Sequence, residues 1–476
     1  MIRRATLTLS LALLLGSAVP IAAQAPGLSE SERRAGAEAH PQLLAQFGGA
    51  MSGRQADYVR SVGQKIAAAS GQGARAQDYT VTLLNSNANN AFAIPGGYVY
   101  ITRQLLALMN DEAELAFVMG HEVAHVAARH GQKRQSRAAL SSILAGLAGA
   151  VTKSDIVGRG AGVLAQVTTL GYSREQERQA DSLGVRYLTS QGYDPMASGD
   201  ILAALGAQTR LESELQGKGG AEPAKWLSTH PATDERVARI LAEARTMVAQ
   251  AGPRATNRDR FLDMIDGLPY DDDAGQGSVE GRRFRHPQIG VTFEAPQGFT
   301  LQNGAQAVTG SGPNGARFTF TGGSAQGQTM DAYAARVWQQ AGARGSNFRE
   351  MRIGQLDALV SNWRGNTQQG AAEATLVVYR WSPDAYYHIL ATGPVGGAAV
   401  FDPLIESVRR LSTAEAQQVR SRRVAVVRVG TGDSINSLAA RMAYDDDRVG
   451  RFLTLNHLRP NVPLTPGSRV KLIVWR

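Results

Sequence analysis

The chain has 476 residues and 43% hydrophobic content, which predicts two to four domains with packed cores and excludes wholesale disorder. It contains no cysteine, so disulfides, thiolate metal sites and a lipidated N-terminal cysteine are excluded, and any metal must be held by His and carboxylates. A formal charge of +9 suits anionic surfaces such as cell-wall polymer or, peripherally, lipid headgroups, whereas the basic–aromatic pattern of nucleic-acid readers is missing.

Arg3 and Arg4 precede an apolar run over 7–15, followed by Ala18, Ala22, Ala23 and Ala25. This is the order of a signal peptide over 1–23, cut after Ala23, because a cut after Ala25 would leave Pro26 first. Losing Arg3 and Arg4 lowers the charge from +9 to +7. Neither this run nor a second one over 138–151 reaches the ~20 residues that span a bilayer, so the mature protein is expected in the periplasm or cell envelope.

Residues 28–265 read as one mainly α domain with a few strands. Tyr58, Val59, Val62 and Ile66 recur at helical spacing and read as core. Stretches 79–84 and 98–102 alternate like strands, with a turn at Pro95-Gly96-Gly97. Next comes His121-Glu122-Val123-Ala124-His125, an HExxH motif. Asp111 and Glu114 form a capping box ahead of it, Leu115, Val118 and Val126 recur at helical spacing, and Gly131 supplies a stop. Residues four apart share a helix face, so His121 and His125 can address one metal while Glu122 reaches a water beside it. His130 lies five residues past His125, points away from it, and reads as a surface or capping histidine.

The third ligand must come from elsewhere. Ser173 and Gln176 form a capping box, and Glu177 and Asp181 follow on one face, with Ala180 and Gly184 small enough for close helix approach. Glu177 reads as a ligand and Asp181 as a carboxylate orienting a ligand imidazole. A solvated acidic face shared with Arg174 and Arg178 is the alternative. His230 precedes Pro231 and a helix that Thr233 caps; taken alone it reads as a histidine packing where that helix begins.

Past the acidic, Gly-rich stretch 269–275, strand patterns over 289–293, 316–320, 376–379 and 386–390 mix with helical patterns over 330–340 and 401–411. They predict an α+β domain over 280–412, in which His286 and His388 read as structural. An arginine-containing stretch over 412–423 leads to a final module over 424–476 with βααβ order.

Asn90-Ala91-Phe92-Ala93 with Pro95-Gly96-Gly97, His121 to His125, Glu177 to Asp181 and Thr229-His230-Pro231, in this order over about 30–250, resemble the HtpX and CAAX-prenyl-protease family, in particular its soluble envelope branch. The resemblance implies a zincin-type fold and one Zn2+ per chain on His121, His125 and Glu177. It implies Glu122 as base and Asn90, Ala91, Phe92 and Ala93 as a strand pairing with substrate backbone. It also brings His230 to the zinc pocket, as oxyanion donor or as a plug on the open position. Val429-Gly430-Thr431-Gly432-Asp433 and Leu464-Thr465-Pro466-Gly467 resemble a lysin motif (LysM), which implies binding of peptidoglycan glycan. Residues 280–412 faintly resemble Mog1/PsbP-like domains. The expected function is a zinc endopeptidase acting on unfolded or misassembled envelope polypeptides. The alternatives are an envelope assembly or binding factor with a locked metal site, and a peptidoglycan-directed hydrolase.

Overall fold

The computed structural model describes residues 28–71, 78–130, 172–215, 226, 230–231, 233–252, 254–367 and 370–476. Expectations for the signal peptide, Gly131 and the run over 138–151 lie outside these residues. Among the described residues no helix is long and apolar enough to cross a membrane.

The N-terminal unit contains α1 (Glu30–Gln46), α2 (Arg54–Ala68), β1 (Thr80–Leu84), β2 (Ala91–Ile94), β3 (Tyr98–Thr102), α3 (Arg103–Leu108) and α4 (Glu112–Ala127). It continues with α5 (Arg174–Ser190), α6 (Ala197–Leu215), α7 (Asp234–Ala251) and α8 (Arg258–Ile265). The strands form a small sheet in the order β1-β3-β2, so β2 is an edge strand. The stripe Tyr58, Val59, Val62 and Ile66 is buried on α2, as its spacing predicts.

Helix α4 carries apolar residues on every side, from Ala113 and Leu115 to Met119 and Val123. It therefore sits inside the unit, with 15 of its 16 residues buried. Its N-cap is Asp111, whose carboxylate accepts from Glu114 N at 2.9 Å. Glu114 reaches back one residue further than a capping box requires, to Asn110 N at 2.8 Å. Ser173 and Gln176 form the expected capping box at the start of α5. Glycine favours the close contact of α4 and α5: a Cβ on Gly120 would lie 3.2 Å from Gly184 O, and one on Gly184 3.1 Å from His121 N, tighter than most Cβ contacts. This close approach brings residues 121 and 125 against 177 and 181.

The middle domain is built on a seven-stranded sheet in the order β11-β12-β13-β14-β10-β9-β8 (Ser346–Ile353, Leu356–Thr367, Gly370–Ser382, Ala385–Pro394, Arg317–Ser324, Val308–Ser311, Thr300–Asn303). Side chains of β13 alternate between two cores. Leu376 and Val378 meet α9 (Met330–Gln340), while Val377 and Tyr379 join the phenylalanine cluster around Phe293 and Phe320. The helix expected over 401–411 is confined to α10 (Asp402–Ser407), because Arg409 and Arg410 turn extended and pair with Thr292 and Val291 of β7 (Val291–Glu294).

The last 55 residues have the expected order: β16 (Arg422–Arg428), α12 (Ile435–Ala439), α13 (Arg448–Leu455) and β17 (Arg469–Trp475), with the two strands antiparallel. The acidic stretch at 269–275 is a packed junction and not a loose linker. Its β4 (Pro269–Tyr270) adds a third strand beside β16. Asp271 accepts from Arg422 at 3.1 Å and Tyr444 OH at 2.6 Å, and its N–H donates to Gln104 at 3.0 Å. Val424, Leu438, Phe452 and Leu472 belong to the same hydrophobic core as Leu105, Val118 and Ile201 of the N-terminal unit.

Candidate metal centre

Four ligand atoms, from His121, His125, Glu177 and His230, lie within 4.8 Å of one another, and all four residues are buried. The facing Nε2 atoms of His121 and His125 are 3.1 Å apart. Glu177 Oε1 stands 3.5 Å from His125 Nε2, and its Oε2 stands 3.6 Å from His121 Nε2. His230 Nδ1 lies 2.8 Å from Glu177 Oε1 and 3.2 Å from His121 Nε2. The far nitrogens of both HExxH imidazoles are already engaged: His121 Nδ1 lies 3.1 Å from Asp181 Oδ1, and His125 Nδ1 lies 2.9 Å from His130 Nδ1. Two buried imidazole nitrogens facing each other across a carboxylate fit a divalent cation with N and O preference, which the zinc donor set His2Glu satisfies.

Burial dominates the electrostatics. It holds His121 below the usual imidazole range and His125 well below it, the latter also through neighbouring His121, His230 and His130. Both imidazoles are thus kept neutral, the form that binds metal. Burial raises Glu177. It pushes Glu122 up to about 8, helped by Glu177 and opposed by Trp226, Arg236 and the Ala93 backbone. For Asp181 burial alone would raise the carboxyl, but bonds from His121 and Arg236 outweigh it and hold the group below the usual range.

Of the expected site residues, the structure brings His121, Glu122, His125, Glu177, Asp181 and His230 into one buried cluster. Glu122 accepts from Trp226 Nε1 at 2.9 Å, and His230 Nε2 lies 3.7 Å from it. Of the expected substrate strand, Asn90 and Ala91 are buried. The Asn90 backbone is committed to Thr102 on both its N–H and its C=O. Phe92 and Ala93 remain half-buried on β2, next to Glu122.

His130 corrects the sequence reading. It is fully buried, and its second nitrogen meets Gln179 Oε1 at 3.0 Å, so it supports His125 as Asp181 supports His121. Three further residues escaped the sequence reading. Arg236 grips Asp181 with Nε at 2.9 Å and Nη2 at 2.7 Å, while Nη2 also lies 3.2 Å from Glu177 Oε2. Tyr172 stacks on His125 with ring centroids 3.7 Å apart, and Trp226 stacks on His230 at 4.8 Å. Only Arg236 left a trace in the sequence, as the N3 residue whose N–H bonds to Thr233 in the cap of α7.

Residues 53–244, which include the ligands of this centre, match the family described as Peptidase family M48. Among individual relatives, the chain is 32% identical over 216 residues to the beta-barrel assembly-enhancing protease of Yersinia pestis, covering 42% of this chain and 40% of that one. It is 31% identical over 169 residues to the mitochondrial metalloendopeptidase OMA1 of Arabidopsis thaliana, covering 36% and 32%. The protein from Escherichia coli K12 named as the Yersinia one is 29% identical over 211 residues, covering 41% and 39%. The chain therefore spans well under half the length of these curated relatives. The match reaches the broader M48 family and not the finer naming as HtpX or CAAX-prenyl protease, and the matched segment ends before the two C-terminal units.

Proposed function

We propose that this chain is a zinc-dependent endopeptidase of the cell envelope, with one Zn2+ held by His121, His125 and Glu177, acting on unfolded or misassembled envelope polypeptides. The observation that carries this reading is the convergence of those three ligands with Glu122 at their side. Two of the relatives named above are called beta-barrel assembly-enhancing proteases, which supports envelope polypeptides as the substrate class. Placement in the periplasm after loss of residues 1–23 belongs to the same reading.

Zinc, when bound, supplies a Lewis acid for the scissile carbonyl and lowers the pKa of its water toward 7. Glu122 takes a proton from the attacking water and returns it to the leaving amine. Its raised pKa suits this return, and Trp226 fixes one of its oxygens. Asp181 and His130 orient the two imidazoles so that both keep Nε2 toward the metal. The half-buried edge at Phe92 and Ala93 is the place where an extended substrate would pair.

The test is metal content and cleavage of unfolded casein by the mature chain beside Glu122→Gln. The variant should keep zinc and lose roughly 10²- to 10⁴-fold of turnover. Equal cleavage by both forms rejects the assignment. A second reading, an assembly or binding factor whose metal site is locked, is favoured by His230 standing at the ligands. Peptidoglycan is a further proposed partner through 424–476; sedimentation of the full chain with purified peptidoglycan at moderate salt supports it, and no sedimentation there removes it.

A further inference from the structure

We propose that the C-terminal βααβ unit is a positioning element of the active site, with Lys471 and His457 fixing the loop from which the HExxH helix starts; this rests on the peptidase reading above. The loop in question runs from the end of α3 to Asp111. A helix leaves its last carbonyls without intrahelical partners, and three consecutive carbonyls here point at one ammonium. Lys471 Nζ donates to Ala107 O at 2.7 Å, Leu108 O at 3.0 Å and Met109 O at 2.6 Å. Three protons meet three acceptors, and the positive charge sits at the negative end of a helix.

Two further contacts clamp the same loop. His457 Nε2 lies 3.0 Å from Leu108 O, while its Nδ1 lies 3.3 Å from Glu114 Oε1. Asn110 Nδ2 donates to Leu455 O at 3.3 Å. Glu114 is also the residue that holds Asn110 N, so His457 acts on the first turn of α4 directly. Within the C-terminal unit, Asn456 ties the end of α13 to β17 by accepting from Lys471 N at 2.7 Å and donating to Lys471 O at 2.9 Å. His121 lies ten residues beyond Asp111, about 15 Å along a rigid helix. Where the loop sits therefore sets the depth and rotation of both imidazoles and of Glu122.

A buried lysine is a poor device for stability alone. Lys471 is fully buried, and desolvation pulls its ammonium well below the usual range, with Glu114 opposing. An apolar side chain of similar volume often serves a core as well or better. What the ammonium supplies and methionine does not is a fixed direction for three carbonyls at the root of the catalytic helix.

The experiment compares the full mature chain with Lys471→Met, His457→Ala and, as a stability control in the separate middle-domain core, Ile389→Val. Each is loaded with zinc for kinetics on a short fluorogenic peptide and with cobalt for absorption spectroscopy. Lys471→Met should fold, keep KM within about twofold and lose roughly 10- to 100-fold in kcat, the scale expected when catalytic groups shift by a fraction of an ångström to one ångström. Its cobalt bands should move or broaden, and His457→Ala should do the same more weakly, while Ile389→Val keeps the wild-type kcat and spectrum. Wild-type kcat and bands in both Lys471→Met and His457→Ala overturn the proposal. If Lys471→Met does not fold, His457→Ala decides on the same two readouts. If the wild-type chain cleaves nothing, the peptidase reading fails by itself and the cobalt spectra alone decide positioning.

Discussion

Arg236→Ala probes the centre where its design is most exposed to test. Asp181 is completely buried, and two nitrogens of Arg236 hold its two oxygens, with Arg239 Nη2 as a third donor. Removing one partner of a buried ion pair typically costs about 3–5 kcal/mol, because the other charge is left stranded. Arg239 can retain part of that, so the lower end, about 3 kcal/mol, is expected. For a domain of this size each kcal/mol lowers Tm by roughly 2–4 °C, giving a fall of about 6–12 °C. Asp181 would also cease to fix His121, and loss of such outer support lowers metal affinity roughly 10- to 100-fold. Chelator competition gives the zinc affinity, and melting with and without zinc gives the stability. Arg236→Lys should recover only part of both, since a single ammonium cannot bind two carboxylate oxygens as a planar fork does. If Arg236→Ala melts within about 2 °C of wild type and binds zinc as tightly, the coupling between Arg236, Asp181 and His121 is wrong.

Glu177→Ala should lose zinc, since it removes the carboxylate opposite two imidazoles; full occupancy in that variant would show that the third ligand lies elsewhere. His230→Ala should raise basal cleavage, because His230 Nδ1 occupies space beside His121 and Glu177; a fall of about 10²-fold or more would make it an oxyanion donor, and no change would remove it from the site. In the middle domain, burial lowers His388 from 6.5 to about 4. Between those values the unfolded chain binds a proton that the folded chain refuses, so stability falls as pH drops from 6.5 to 4, by up to about 3 kcal/mol. Melting curves of His388→Asn should be flatter over this range, and identical slopes would refute the assignment.

The HExxH helix was legible because its signal is local: a cap, an apolar pattern and two histidines four apart. Glu177 and Asp181 were legible for the same reason, as a capped helix start with small residues behind it. His130 was misread because helical spacing was extended past its validity. Ala128 is the C-cap of α4 and Arg129 has a φ of 53°, so the chain turns left-handed just before His130 and swings it back to His125. Trp226, Tyr172 and the grip of Arg236 on Asp181 were invisible for a different reason. Tyr172 acts through its ring face on His125, Trp226 through its indole N–H on Glu122 and Arg236 through a fork of donors on Asp181, partners 47, 104 and 55 positions away, and neither spacing nor composition encodes such pairings. The helix over 401–411 was overextended because Arg409 and Arg410 suit a helix end as well as an edge strand, and only pairing with β7 decides between them.

The boundary drawn at residue 424 separates a sequence motif, not a physical unit. A lysin-motif-like module that merely tethers the enzyme would carry its own core and leave the protease intact when removed. Here Val424, Leu438, Phe452, Leu455 and Leu472 share one core with the N-terminal unit, and α13 packs on α6. The pairing of β16 with β4 and the bonds of Asp271 to Arg422 and Tyr444 join the same surfaces from the other side. Deleting 424–476 would uncover this core and free the carbonyls of Ala107, Leu108 and Met109 at once. The truncated chain should therefore be poorly soluble or melt well below the full chain, and loss of its cleavage would not report on glycan binding. A truncated chain with wild-type Tm and wild-type kcat would show that the shared core contributes nothing and that the module is a simple appendage.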